Sequence, residues 1–306
     1  MKPKNLSRRE FLGISTLTLA TILCGQSCSL DSRAKSIGLA LGAGGARGLA
    51  HIPLVELFDE LGIRPHRLAG SSMGAVIGLL YASGQSGAQI KKLIDDLVVR
   101  ENESFLEALR KWEAFRWFEF VDPEIGNGGL LNAGKFVSFI QEAINRSTFE
   151  ELDIPLKIVA ADFWKREQVV FETGDLTPAL QASIAIPGLF TPVLHQGRAL
   201  VDGSAVNPVP YDLLLDDCDI TIAVDVQGSW TTDENLTPSW FDTAMGSNLI
   251  MQESIIREQL KRRSPSIYLK PALRDIRVLD FAKADVIYQQ TASAKEMLRN
   301  RLRVFL

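Results

Sequence analysis

Histidine and cysteine are scarce in this chain of 306 residues, which contains three of each. The histidines are His51, His66 and His195. They lie far apart and show no paired spacing, so the sequence carries no signature of a metal site, and we expect neither a metal nor another cofactor. Cys24 and Cys28 lie near the N-terminus, which leaves Cys218 alone in the rest of the chain. That remainder therefore has no internal disulfide.

Basic residues show no excess, and long apolar runs are lacking. The formal net charge is -4, which argues against nucleic-acid binding and against adhesion to anionic lipid through a basic face. The apolar stretch Ile14–Leu23 is too short, and too rich in Ser and Thr, for a membrane span. With 46% hydrophobic and 23% charged residues, the composition is that of a globular protein with one large core.

The N-terminus resembles a twin-arginine export signal, because Ser7–Leu12 contains two adjacent arginines and Ile14–Leu23 follows. We expect residues 1–28 to be this signal and the protein to reach the periplasm or cell envelope. A lipid anchor at Cys28 is a further hypothesis, although Gly25–Ser27 matches the usual preceding sequence poorly. Residues 29–306 then form the folded domain, with core motifs over 36–230 and C-terminal helices over 240–306. The sequence does not indicate an oligomeric state.

Apolar strand-like runs alternate with helical ones along the rest of the chain. The strands are predicted near 36–41, 67–70, 156–161, 168–171, 199–201, 220–225 and 266–269. This alternation indicates an α/β fold of three layers, α/β/α, with a largely parallel central sheet covered on both faces. Leu249–Arg262 and Thr291–Arg303 have the spacing of amphipathic helices, with a break at Ser264 and Pro265.

A G-x-S-x-G pentapeptide, Gly70 to Gly74, lies between a predicted strand and a predicted helix. In this context the two glycines permit a sharp turn that exposes the hydroxyl of Ser72 beside the positive end of the helix. Ser72 is therefore the candidate nucleophile. The alternative is an ordinary turn, since the pattern also arises by chance.

Two residues are candidates for the base that accepts the proton of this serine. His195 is the only histidine after Ser72 and falls at the tip of a predicted hairpin, so a triad of Ser72, Asp162 and His195 is one alternative. Asp202 ends an apolar strand and precedes Gly203, and a carboxylate there can accept the serine proton directly. We favour Asp202, although Asp-Gly is also a common turn dipeptide.

A glycine-rich turn, Gly42 to Gly48, follows the first predicted strand and opens a helix. Its backbone N–H groups suit a phosphate or the oxyanion of acyl transfer. Dinucleotide binding is disfavoured, because Arg47 stands where G-x-G-x-x-G needs its third glycine. We therefore assign Gly44 and Gly45 to an oxyanion hole, with Gly42 and Gly48 as supporting residues. Arg47 fixes the loop or a phosphoester group.

Taken in order, G-x-G-G-x-R-G, G-x-S-x-G and D-G-small resemble the patatin-like phospholipase family, as in bacterial members. The similarity covers about residues 36–230 and includes the segments 154–162, 182–188 and 207–210. It implies a patatin-like fold and a lipid acyl hydrolase with a Ser/Asp dyad, at Ser72 and Asp202, and an oxyanion hole in the glycine-rich loop. Ala43 and Ser204 depart from the residues usual in the family, and we expect altered tuning without loss of activity.

The substrate implied is a lipid or another acyl ester, with peripheral membrane contact as a further expectation. Phe105–Phe120 is dense in aromatic residues interleaved with basic ones, which suits a lid, a lipid-facing surface or a packed helix. Gly126–Gly129 is a predicted flexible loop beside it. A protein of another class, a catalytically silent lipid-binding protein of the envelope, would keep the same fold.

Overall fold

The computed structural model describes residues 35–97, 122–123, 131–231, 237 and 239–305. They belong to the unit Lys35–Leu306. The predicted export signal, the aromatic segment Phe105–Phe120 and the loop Gly126–Gly129 lie outside the described residues.

The described residues form ten strands and seven α-helices. The strands are β1 (Ile37–Leu41), β2 (Arg67–Ser71), β3 (Asp122–Pro123), β4 (Leu131–Asn132), β5 (Leu156–Asp162), β6 (Glu167–Phe171), β7 (Val193–His195), β8 (Arg198–Asp202), β9 (Ile220–Val224) and β10 (Ile267–Leu269). The helices are α1 (His51–Glu60), α2 (Met73–Ala82), α3 (Gly87–Leu97), α4 (Gly134–Ile144), α5 (Leu176–Ser183), α6 (Trp240–Arg262) and α7 (Ala284–Leu302). Short 3-10 helices include Gly45–Ala50, Gly203–Ala205 and Tyr211–Leu214.

Eight strands form one sheet in the order β10-β9-β1-β2-β5-β8-β7, and β6 pairs with β5 outside this path. The pairs from β10 to β5 along this path are parallel, whereas β6, β7 and β8 are antiparallel to their neighbours. The largely parallel α/β sheet predicted from the sequence is confirmed. All seven predicted strands are present, and the predicted hairpin at His195 is the β7–β8 pair.

Apolar layers cover both faces of this sheet. On one face, Leu39 and Leu41 of β1 pack in a large core with side chains of α1, α2 and α7. On the other face, a row of alanines across three strands, Ala69, Ala40 and Ala223, packs against Tyr211 and against α6. The central strands are therefore continuous apolar runs, as expected for parallel strands buried on both sides.

The pairing of β5 determines which parts of the chain meet. Strand β6 pairs with residues 158–162 of β5, β2 pairs with residues 156–159, and β8 pairs with residues 160–162. Because β6 overlaps both of the others along β5, β2 and β8 must lie together on the opposite edge. They run in opposite directions on that edge, so their carboxyl ends face each other.

The ends of these two strands are neighbours. Ser71 at the end of β2 pairs with Val159, and Asp202 at the end of β8 pairs with the next residue, Ala160. Strand β1 pairs with β2 and ends at Leu41, so the turn after β1 opens at the same edge of the sheet. All three sequence motifs therefore lie at carboxyl ends of strands, where open α/β sheets place their binding sites.

Gly74 gives a direct test of this packing. A Cβ atom at this position would lie 2.1 Å from the carbonyl oxygen of Leu41, which is backbone and cannot move aside. We expect Gly74→Ala to lower the free energy of unfolding, measured by urea denaturation, by about 3 kcal/mol. Gly246→Ala is the matched control, because Gly246 lies within helix α6 and has no atom within 4 Å of the added Cβ. This second change should stabilise the protein by about 0.5–1 kcal/mol. Equal stability of Gly74→Ala and the parent would contradict the close approach of α2 to β1.

Candidate active site

Ser72 occupies a strained turn between β2 and α2. Its backbone has φ 55° and ψ -126°, outside the regions that residues with a side chain favour. Its N–H group donates to Ser183 Oγ at 2.9 Å, and the side chain is only 5% exposed. Such conformations cost about 1–3 kcal/mol and persist where the surroundings hold them. The hydrogen bond that Ser72 donates to Ser183, at the end of α5, is one such restraint.

Asp202 ends β8 and is 1% exposed. Its Oδ1 accepts a hydrogen bond from the N–H of Ser204 at 2.8 Å, whereas its Oδ2 is buried and has no full hydrogen bond to a described residue. Burial raises the pKa of the carboxyl to about 6, although the Ser72 hydroxyl and both the N–H and the hydroxyl of Ser204 lower it. The Ser72 hydroxyl is thus close enough to influence this pKa, although Asp202 Oδ2 accepts no hydrogen bond from a described residue. Hydrogen bonds between catalytic groups are often long in enzymes without bound substrate.

A chain of buried side chains holds the loop after Asp202. Gln227 Nε2 donates to Gln252 Oε1 at 2.6 Å, and Gln252 Nε2 donates to Ser204 Oγ at 3.1 Å. Since the Ser204 oxygen accepts this bond, its own hydrogen is free to point at Asp202, which agrees with the lowering effect of this hydroxyl on the Asp202 pKa. Helix α6, which carries Gln252, is thereby connected to the carboxyl.

The glycine-rich turn is held in place by its outer members. The N–H groups of Gly42 and Ala43 donate to backbone oxygens of Val224 and Pro208. The N–H groups of Gly44 and Gly45 donate to no residue in the part of the chain that the structure describes, and both glycines line the same cavity as Ser72. Two backbone donors are thus available next to the serine.

Two buried basic side chains, which follow the glycine-rich turn in the sequence, hold its backbone in place. Arg47 is 2% exposed and its Nε donates to the carbonyl of Gly44 at 3.3 Å. Burial lowers its pKa to about 10, against the nearby Asp225, which raises it. His51 is fully buried, and its Nε2 lies 2.8 Å from the carbonyl oxygen of Gly42. Burial lowers the His51 pKa to about 4, so the ring is neutral at pH 7 and donates to Gly42.

A cavity of about 410 Å³ brings these groups together. Its described walls include Gly44, Gly45, Arg47, Ser72, Asp202, Ser204, Trp230, Asp242, Met245, Asn248, Leu249, Gln252 and Arg277. Every residue predicted from the three motifs therefore lines this cavity or supports a residue that does. A hydroxyl on an elbow, a buried carboxyl and two unpaired N–H groups are the parts that acyl transfer requires.

The residues of the alternative triad lie elsewhere. His195 packs its ring against Phe171, with the ring centroids 5.5 Å apart, and it does not line the cavity around Ser72. Asp162 accepts bonds from the N–H groups of Trp164 and Lys165 in the β5–β6 turn. It therefore has a local role in that turn, and the structure does not bring these two residues to Ser72.

The described residues hold no group of three or more His, Cys, Asp or Glu side chains that could bind a metal ion. Within the same residues, no helix has both the length and the apolar character needed to cross a membrane.

Three supporting residues were not identified from the sequence. Ser183 lies in the segment 182–188 that carries part of the family resemblance, yet nothing in that pattern predicts a bond to the Ser72 N–H. Gln252 falls within a predicted amphipathic helix, where a polar residue normally faces solvent. His51 is the buried first residue of α1. Apart from its position nine residues after Gly42, nothing in the sequence indicates the contact between the two.

The chain matches a protein family and several individual proteins. Residues 39–215 match the Patatin-like phospholipase family. An uncharacterised NTE family protein of Mycobacterium tuberculosis is 33% identical over 238 residues, which are 76% of this chain and 62% of that protein. A patatin-like phospholipase domain-containing protein of Caenorhabditis elegans is 28% identical over 89% of this chain and 20% of its own length. The chain thus spans less than two thirds of these relatives.

Among solved structures, VipD from Legionella pneumophila is similar over 86% of this chain and 67% of its own, with a TM-score of 0.47 and 15% identity. The type III effector protein ExoU is similar over 88% of this chain and 53% of its own, with a TM-score of 0.44 and 15% identity.

Burial of Asp202 predicts a gain in stability when its charge is removed. The folded pKa of about 6 exceeds the ordinary 3.8, so the folded protein binds the proton more tightly than the unfolded chain, and ionisation above pH 6 destabilises the fold. Asp202→Asn should therefore be more stable than the parent at pH 8, by on the order of 3 kcal/mol. The difference should shrink as the pH falls from 6 to 4. Urea denaturation at several pH values measures it, with Asp216→Asn at the surface as the control. A pH-independent difference would argue against the raised pKa.

Proposed function

Since this chain belongs to the patatin-like phospholipase family, we propose that it is a serine lipid acyl hydrolase with Ser72 and Asp202 as its dyad. Membership of the family supports lipid hydrolysis. We propose in addition the roles of Ser72 and Asp202 and an oxyanion hole at Gly44 and Gly45. The observation that carries them is the meeting of the Ser72 elbow, the buried Asp202 carboxyl and the amides of Gly44 and Gly45 in one cavity.

In the first half of the reaction, Ser72 Oγ attacks the ester carbonyl carbon while Asp202 accepts its proton. The negative charge that develops on the carbonyl oxygen is stabilised by the N–H groups of Gly44 and Gly45. When the tetrahedral intermediate collapses, the bond to the alcohol breaks and Asp202 returns the proton to the leaving oxygen. An acyl-Ser72 ester remains.

In the second half, water attacks the acyl-Ser72 ester and Asp202 again accepts a proton. When the second intermediate collapses, the bond between the acyl carbon and Ser72 Oγ breaks, Asp202 returns the proton to Ser72 Oγ, and the carboxylic acid is released. A base with a pKa of about 6 suits these steps at neutral pH, because it is ionised yet more basic than an exposed carboxylate. The buried environment of Asp202 therefore serves the chemistry although it destabilises the fold.

Contact with a lipid surface is also proposed. Trp230, 44% exposed, lines the cavity of Ser72, and Leu279, 50% exposed, lies beside its neighbour Val278 in that wall. Exposed apolar side chains beside a cavity favour docking of the protein onto a lipid surface. Export to the periplasm or cell envelope is a proposal that rests on Ser7–Leu12 and on the apolar stretch Ile14–Leu23 that follows it. A lipid anchor at Cys28 is a further proposal, which depends on cleavage before this cysteine.

Substitution of the dyad tests the proposed function. We expect Ser72→Ala and Asp202→Asn each to lower kcat/KM for p-nitrophenyl esters and for a phospholipid by at least about 1,000-fold, because each removes an indispensable group. His195→Ala should retain activity within about twofold. Circular dichroism of each variant checks that the fold is intact. Loss of activity in His195→Ala alone would favour the triad, and a parent without activity on any ester would favour a silent lipid-binding protein.

The pH dependence tests the role of Asp202 as base. We expect kcat/KM to fall about tenfold per pH unit below pH 6, because the protonated carboxyl cannot accept the Ser72 proton. Ser204→Ala removes a donor that lowers this pKa, so the acidic limb should move to higher pH. Ser83→Ala is the matched control, since this buried hydroxyl donates to the carbonyl of Leu80 instead. A profile that stays flat to pH 4, or an equal displacement in both variants, would contradict the assignment.

A further inference from the structure

Ser72 lies between two cavities of different size and chemistry. The wide cavity, of about 410 Å³, contains Asp202 and the polar residues described above. A narrow cavity of about 60 Å³ also reaches Ser72, and apart from this serine its described walls hold no polar side chain. Those walls are Gly45, Met73, Ala133, Phe136, Ile184, Ile186, Phe190, Val278, Leu279 and Phe281.

The proton that the leaving alcohol requires determines which part of an ester enters each cavity. When the tetrahedral intermediate collapses, the leaving oxygen needs a proton, and in the proposed mechanism this proton comes from Asp202. Asp202 belongs to the wall of the wide cavity and not to the described wall of the narrow one. The alcohol must therefore leave on the side of the wide cavity, and the acyl chain extends from the carbonyl carbon towards the other side.

We propose that the narrow cavity is the acyl-chain subsite and that the wide cavity receives the alcohol, so that the enzyme selects short acyl groups carried by bulky, polar alcohols. This inference rests on the proposed function and adds the substrate class to it. Phe190 is the specificity-determining residue on the acyl side, since its ring is part of the narrow wall and is only partly buried in the core.

The volume limits the acyl chain. One water-sized group needs about 10–15 Å³ of cavity volume, and the narrow cavity offers about 60 Å³. It therefore has room for about four to six groups of that size, and we expect the acyl chain that it takes to be of about this length. An apolar wall also gains about 0.8 kcal/mol for each methylene that leaves water, which favours an acyl chain over a polar group.

The wide cavity has polar groups that the narrow cavity lacks, beside apolar side chains such as Trp230 and Met245. Arg277 Nε lies 3.6 Å from Asp242 Oδ1 in its wall, and Arg47 and Asn248 lie in the same wall. Charged and amide groups can form hydrogen bonds with the hydroxyls or charged groups of an alcohol. An acyl chain placed there would leave these groups facing hydrocarbon, which is unfavourable.

A series of p-nitrophenyl esters from acetate to palmitate tests the assignment, because the alcohol is constant and only the acyl chain changes. We expect kcat/KM to be highest at or below about six carbons and to be at least tenfold lower at twelve. Phe190→Ala should move the optimum to chains longer by two or more carbons. Phe190→Trp should move it to shorter chains, and this opposite change controls for general damage to the fold.

Leu249→Ala is the matched variant in the wide cavity. It should alter the ratio of rates for p-nitrophenyl and 4-methylumbelliferyl butyrate, which differ only in the alcohol, and leave the preferred acyl length as in the parent. A chain-length optimum that moves in Leu249→Ala and not in Phe190→Ala would overturn the assignment while leaving the proposed function intact. A parent inactive on the whole series would overturn both.

Discussion

Two strands of opposite direction share one edge of β5, and the rest of the site depends on this arrangement. Strand β2 ends at Ser71, opposite Val159, and β8 ends at Asp202, opposite Ala160. The residue after β2 and the last residue of β8 therefore meet, although 130 positions separate them in the sequence. A parallel β8 would carry its carboxyl end away from Ser72, so the proposed dyad requires the change from parallel to antiparallel pairing at β5.

The junction of β2 and β8, where Ser72 and Asp202 meet, has an energetic cost that the surrounding structure offsets. Ser72 adopts a positive φ, and Asp202 is a carboxyl taken out of water with one oxygen lacking a full hydrogen bond among the described residues. Gly203 must pass so close to β5 that an added Cβ would lie 2.2 Å from the Val159 carbonyl oxygen. Large apolar cores on both faces of the sheet supply the stability that keeps these features in place. Strain and desolvation at one point are common where an activity requires them.

The positions of the strands can be predicted from the sequence, whereas the meeting of β2 and β8 on one edge of β5 cannot. Strands such as β1 and β9 are continuous apolar runs with turn residues at their ends, so their positions follow from local patterns. The start of α6 at Trp240, nine residues before the predicted start at Leu249, also had a local signal: Ser239 caps the helix by accepting from the N–H of Asp242. By contrast, the contact of β8 with β5 depends on registers between distant segments, which no local pattern encodes.

The same distinction holds within the candidate site. Ser72, Asp202 and the glycine-rich turn are recognisable because each needs particular residue types at fixed local spacing. Gln252 is not, because its role exists only where α6 crosses the loop after Asp202 and places an amide 3.1 Å from Ser204 Oγ. Since α6 also forms part of the cavity wall, residues that line the cavity and residues that orient the carboxyl belong to one packed unit. A change in the position of α6 must therefore alter both the shape of the cavity and the hydrogen bonding around the Asp202 carboxyl, and Ser204 is the residue that connects the two effects.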